Sequence, residues 1–124
     1  MLITSDLGCT SSVTGAAART GAPLRTALGA SSIDEKLAEA TPALVIVDLS
    51  MPGLKPAELI PSLRARLPEQ ARILAFGSHV HTALLAAARE AGCDVVISRG
   101  EFHAHMDDYL RRDHEAPPDG ETRS

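Results

Sequence analysis

Aromatic side chains are nearly missing from this chain, which holds two Phe, one Tyr and no Trp in 124 residues. Its core must therefore be assembled from Leu, Val, Ile and Ala. Cysteine is almost as scarce. Cys9 and Cys93 are far apart in sequence and lack metal-ligand spacing, which excludes a disulfide framework and suggests two reduced thiols in a cytoplasmic protein. No apolar run approaches the roughly 20 residues of a membrane-spanning helix. The opening residues MLITSD lack the basic segment and long apolar stretch of a secretory signal. Positive charge is in deficit: 12 Lys and Arg stand against 16 Asp and Glu, a formal net charge of −4. The basic footprint of a nucleic-acid binder is absent. There is no internal repeat of solenoid period.

What the chain does have is alternation. Short apolar runs at Leu2 to Ser5, Leu24 to Leu28, Leu44 to Val47, Ile73 to Phe76 and Val95 to Ile97 read as strands. Helical segments separate them. The first spans Ser11 to Arg19 and is ended by Gly21. The second is capped by Ser32, with Glu35 three residues on as in a capping box, and runs through Ala40. The third covers Pro56 to Leu67. Pro61 lies inside it and predicts a late start or a kink, because proline donates no backbone hydrogen bond. The fourth spans Thr82 to Ala91 and closes at Gly92. The last covers Phe102 to Arg112. Five strands alternating with five helices predict an α/β domain, a doubly wound parallel sheet of flavodoxin-like order 2-1-3-4-5. The domain is expected over residues 1–112. Residues 113–124 are polar, contain Pro117-Pro118, and read as a mobile tail.

The most informative run is Val45-Ile46-Val47-Asp48-Leu49-Ser50-Met51-Pro52-Gly53. A buried strand ends in a carboxylate, and a Met-Pro-Gly turn follows at once. Doubly wound sheets place their chemistry at the carboxyl ends of the strands, beside the point where strand order reverses. Asp6, just after strand one, then faces Asp48, just after strand three. Asp48 has two readings on chemistry alone: a nucleophilic carboxylate or a structural acid held by a cation. Asp6 can equally cap the first helix.

The segment from Thr41 to Gly53 resembles the phosphorylation segment of response-regulator receiver domains. Ala87-Ala88-Arg89-Glu90-Ala91-Gly92-Cys93-Asp94 is similar to the fourth helix and following turn of the same family. The likeness extends over residues 2 to 112. It implies a two-component signalling module, with Asp48 as phosphoacceptor and an acidic pair after strand one that helps bind Mg²⁺. It also implies a Thr or Ser after strand four and a Lys after strand five, both in contact with the phosphoryl group. The acidic pair falls on Ser5 and Asp6, so one carboxylate is lost. The hydroxyl position falls on Gly77, with Ser78 beside it. The Lys position holds Arg99, and Val96 replaces the family's switch aromatic.

These departures predict weak Mg²⁺ binding through Asp6, Asp48 and the Ser50 carbonyl, since a hard cation wants anionic oxygen ligands. Ser78 and Arg99 are the phosphoryl-contact candidates. Arg99 is also placed to clamp Asp48, because a guanidinium matches a carboxylate. The expectation is a non-enzymatic, atypical receiver-like module with a degraded phosphorylation site, acting through a protein partner or a second copy of itself. Neither nucleic acid nor membrane is expected as a partner. A working receiver phosphorylated on Asp48 by a histidine kinase is the alternative. A metal or small-ligand sensor built on His79, His81, His103 and His105 is a third. His81, Leu85 and Tyr109 are predicted to point outward on the face of helix four, strand five and helix five as interface residues.

Overall fold

The computed structural model describes residues 1–39 and 41–114. A five-stranded parallel sheet has the order β2-β1-β3-β4-β5, with β1 at Leu2–Ile3, β2 at Thr26–Ala27, β3 at Leu44–Asp48, β4 at Arg72–Gly77 and β5 at Val95–Ser98. This is the predicted flavodoxin-like order. Helices α1 (Leu7–Thr20), α2 (Ala30–Glu39), α3 (Pro56–Arg66), α4 (Thr82–Ala91), α5 (Arg99–Ala104) and α6 (Met106–His114) connect and cover it.

Strand alternation sorts the core into two layers. Ile3, Val45, Val47, Ile73 and Ala75 face α2, α3 and α4, where they meet Ile33, Ile60, Leu63, Leu85 and Ala88. Leu2, Ile46, Leu74 and Phe76 face α1, α5 and α6, where they meet Cys9, Val13, Ala16, Phe102, Met106 and Leu110. By the same alternation Asp48 falls on the second side, at the sheet's carboxyl end.

Several boundaries differ from expectation for identifiable reasons. Helix α1 starts at Leu7 because Asp6 Oδ1 accepts hydrogen bonds from the N–H groups of Gly8 and Cys9 at 2.8 and 3.3 Å. It ends at Gly21, as predicted, with φ of 76°. Helix α2 starts at Ala30, so Ser32 sits in its first turn rather than at its cap, and its N–H bonds to the Gly29 carbonyl. Ala40, the expected last residue, lies outside the described residues. Helix α3 begins at Pro56 and runs through Pro61 without interruption. Pro56 suits the first turn, whose N–H groups lack intrahelical partners in any case. The expected single last helix is two, divided at His105, and the first begins at Arg99 directly after β5. Of the expected tail at 113–124, Asp113 and His114 belong to α6, and 115–124 lie outside the described residues.

Asp94 gives the Ala-Gly-Cys-Asp turn its structural meaning. Its Oδ2 accepts from the N–H of Ile73 at 2.8 Å and from Arg64. Arg64 also donates to the carbonyls of Gly92 and Ala71. One guanidinium thus joins α3 to the loops that lead into β4 and β5.

Candidate functional site

Register builds the site. Leu2 pairs with Ile46 and Ile3 with Val47, so the next residue along, Thr4, arrives level with Asp48. On the other side Asp48 pairs with Phe76. Thr4 and Asp48 are the two buried polar residues among those described, 0% and 1% exposed. A buried carboxylate demands hydrogen-bond donors, and Asp48 has four. Oδ2 accepts from the Thr4 hydroxyl at 2.7 Å. Oδ1 accepts from the Ser50 N–H at 3.0 Å, the Ser50 hydroxyl at 2.6 Å and Arg99 Nη2 at 3.1 Å.

These contacts fix the charge of the group. Burial by itself pushes the Asp48 pKa up. Hydrogen bonds from the Ser50 hydroxyl, the Thr4 hydroxyl and the Ser50 N–H, together with the Arg99 charge, outweigh it, and the net shift is downward. Beneath the site, burial and the Asp48 charge push the Cys9 thiol up to about 11. Cys9 and Cys93 are both free thiols.

Arg99 is the first residue of α5, and its guanidinium is anchored three ways. Nη2 donates to Asp48 and also to the Ser50 hydroxyl at 2.7 Å. The guanidinium carbon lies 5.1 Å from the centre of the Phe76 ring. Phe76 in turn stacks on Phe102 at 4.5 Å with 5° between the planes, and Phe102 stacks on Tyr109 at 6.5 Å.

The structure thus brings together Asp48, Ser50 and Arg99 of the predicted residues. Thr4 joins them, and it was missed. The signal was present in the sequence: a Thr ends the strand that lies beside Asp48 in this topology. Of the two readings of Asp6, the capping one describes its contacts, since its Oδ1 caps α1. Its N–H donates to the Thr4 hydroxyl at 3.1 Å, so Thr4 links the two strand ends. Ser78 does not reach Asp48. Its hydroxyl accepts from the Val80 N–H at 3.4 Å within its own loop.

Gly77 is filled in by its neighbours rather than vacant. A Cβ built there would lie 3.2 Å from Leu49 Cβ and 3.7 Å from Leu85 Cδ2. A side chain at position 77 would therefore press on Leu49.

The expectation for Leu85 is corrected. Leu85 is 8% exposed and belongs to the core layer with Leu49 and Ala88. Residues 85 and 88 share one helical face, and that face looks inward. Tyr109 is half-buried against the second layer. His81 is exposed. His79, His103 and His105 are exposed as well. Among the described residues no three His, Cys, Asp or Glu side chains gather as a metal site would require. No helix among them is long and apolar enough to cross a membrane.

No protein-family model matches the chain. Among curated proteins it is 34% identical over 92 residues to the transcriptional activator protein ExaE of Pseudomonas putida. That match covers 74% of this chain and 42% of the relative, so the chain spans less than half of the relative's length. Solved structures match more completely. The signal receiver domain of a response regulator from Bermanella marisrubri superposes with a TM-score of 0.77 at 23% identity, covering 92% of this chain and 95% of that one. The receiver domain of NtrX from Brucella abortus gives 0.73 at 18% identity, covering 90% and 96%. A response regulator from Burkholderia pseudomallei gives 0.74 at 17% identity, covering 93% and 65%; its crystal contains a phosphorylated aspartic acid, a calcium ion and citrate. The fold of this chain is therefore the response-regulator receiver fold.

Proposed function

We propose that this receiver-fold chain is an atypical signalling module whose output is carried by protein contacts and whose Asp48 is a poor phosphoacceptor. The single observation that carries the reading is the crowding of donors on Asp48. Three donors converge on Oδ1, one of them a guanidinium, and a fourth holds Oδ2. Carboxylate nucleophilicity depends on an available lone pair. Phosphoryl transfer depends almost wholly on positioning and on charge stabilisation of the transferred group. Here the stabilising cation is spent on the nucleophile itself. Gly77 contributes no hydroxyl, and a Cβ there would crowd Leu49. The fold and the likeness to a transcriptional activator support a signalling setting in which a protein partner reads the domain.

A working receiver is the second reading, and one observation favours it. Oδ2 has a single donor, Thr4, and the half-exposed Arg99 and Ser50 could turn from Asp48 onto a phosphoryl oxygen. Intact-mass measurement after incubation with acetyl phosphate and Mg²⁺ separates the two. Little or no phosphoryl adduct is expected. A substantial adduct that disappears in Asp48→Ala overturns the proposal in favour of a working receiver.

A further inference from the structure

We infer that the Arg99 guanidinium is the resident cation of the Asp48 site and that the folded chain takes no divalent metal there. The inference rests on the function proposed above, because it concerns the same site and the Mg²⁺ that the receiver fold implies. Mg²⁺ requires near-octahedral oxygen coordination. Each ligand oxygen must turn a lone pair toward the ion, and no donor hydrogen or fixed positive charge can lie between.

The residues present fall short of that requirement: the oxygens left open are one lone pair of Asp48 Oδ2, Asp6 Oδ2 and the Ser50 carbonyl, and Arg99 stands beside the first of these. Asp48 Oδ1 faces the Ser50 N–H, the Ser50 hydroxyl and Arg99 Nη2. Asp48 Oδ2 faces the Thr4 hydroxyl. Asp6 Oδ1 faces two N–H groups at the start of α1. Position 5 is an exposed Ser, not a second carboxylate. The Ser50 hydroxyl donates to Asp48 while accepting from Arg99 at 2.7 Å, so its proton and one of its two lone pairs are used and a guanidinium lies against it.

Arg99 supplies what a metal would otherwise supply, a positive charge beside a buried carboxylate. It is fixed by Asp48, by Ser50 and by the face of Phe76. A guanidinium stays protonated across the working pH range, so this neutralisation does not titrate away. It also needs no metal to be present in solution. A divalent ion entering the site would meet a like charge at hydrogen-bonding distance from its main ligand.

The test is a thermal melt of the chain at neutral pH and constant ionic strength, titrated with MgCl₂ or MnCl₂ after EDTA treatment. The wild-type melting temperature is expected to stay constant. Arg99→Gln is expected to melt lower in EDTA and to show a saturable upward shift with Mg²⁺ that Asp48→Asn abolishes. A saturable shift in the wild type, lost in Asp48→Asn, overturns the inference. So does an Arg99→Gln protein that folds and ignores the metal, because Arg99 would then not be what excludes it. Should Arg99→Gln fail to fold, Mn²⁺ broadening of the wild-type Asp48 and Ser50 amide resonances decides. Selective broadening at low Mn²⁺ overturns the inference, and its absence supports it. Labelling of Asp48 by acetyl phosphate in EDTA would sink the proposed function and leave this inference standing. Metal binding without labelling would do the reverse.

Discussion

Replacing Thr4 by Val keeps the branched shape and deletes one hydroxyl, which donates to Asp48 Oδ2 at 2.7 Å and accepts from the Asp6 N–H at 3.1 Å. Both residues are buried, so no water takes the hydroxyl's place. Losing a hydrogen bond to a charged acceptor costs about 1.5–3 kcal/mol. For a domain of this size a loss of about 2 kcal/mol lowers the melting temperature by about 6–10 °C. The penalty must also depend on pH. The folded-state pKa of Asp48 is depressed. Stability from a depressed carboxylate is full above its unfolded pKa of about 4 and is lost as pH falls through the folded value. Thr4→Val lifts the folded pKa back toward the unfolded one. Its penalty is therefore full at pH 7 and shrinks as the pH drops below about 4. Chemical denaturation of both proteins across that range measures it. A double-mutant cycle with Asp48→Asn isolates the part of the penalty that depends on the Asp48 charge, the lost Asp6 contact being common to both backgrounds. A loss at pH 7 below about 0.5 kcal/mol, the scale of an ordinary surface change, would refute the reasoning. So would a penalty equally large in the Asp48→Asn background.

Gly77→Thr is expected to destabilise by about 1–3 kcal/mol through overpacking against Leu49, without raising acetyl-phosphate labelling. A fully stable Gly77→Thr protein would show that the space is open. Leu85→Glu should cost upward of about 3 kcal/mol and broaden or abolish the melt, because it puts a carboxylate into the core layer. An unchanged melting temperature would return Leu85 to the surface.

The pairing of Asp48 with Arg99 was legible in the sequence because both sit at strand ends that the topology brings close. Topology in turn followed from the alternation of apolar strands and helices. Thr4 was not legible by the same route. Thr4 lies within the expected strand Leu2 to Ser5, but which of its residues stands level with Asp48 depends on the register of β1 against β3. Leu85 failed for a different reason. The run Ala83-Leu84-Leu85-Ala86-Ala87-Ala88 is apolar all round, so periodicity cannot say which leucine faces the core. The start of α1 failed because Asp6 has two uses, and its capping role extends the helix back to Leu7. The two His pairs share an end of the sheet, yet nothing in their spacing required them to meet, and they do not.

All three aromatic rings of the chain stand in one file, from Phe76 through Phe102 to Tyr109. With a single Tyr and no Trp, ultraviolet emission from this protein has one source, and that source sits on α6. Tyrosine fluorescence therefore reports the docking of α6 against α5. Circular dichroism near 222 nm reports all six helices at once. If the two signals are lost at the same denaturant concentration, the domain unfolds as one cooperative unit. If the phenol signal changes first, α6 leaves the sheet before the rest. The scarcity of aromatics, a poverty for packing, makes the chain its own site-specific optical probe.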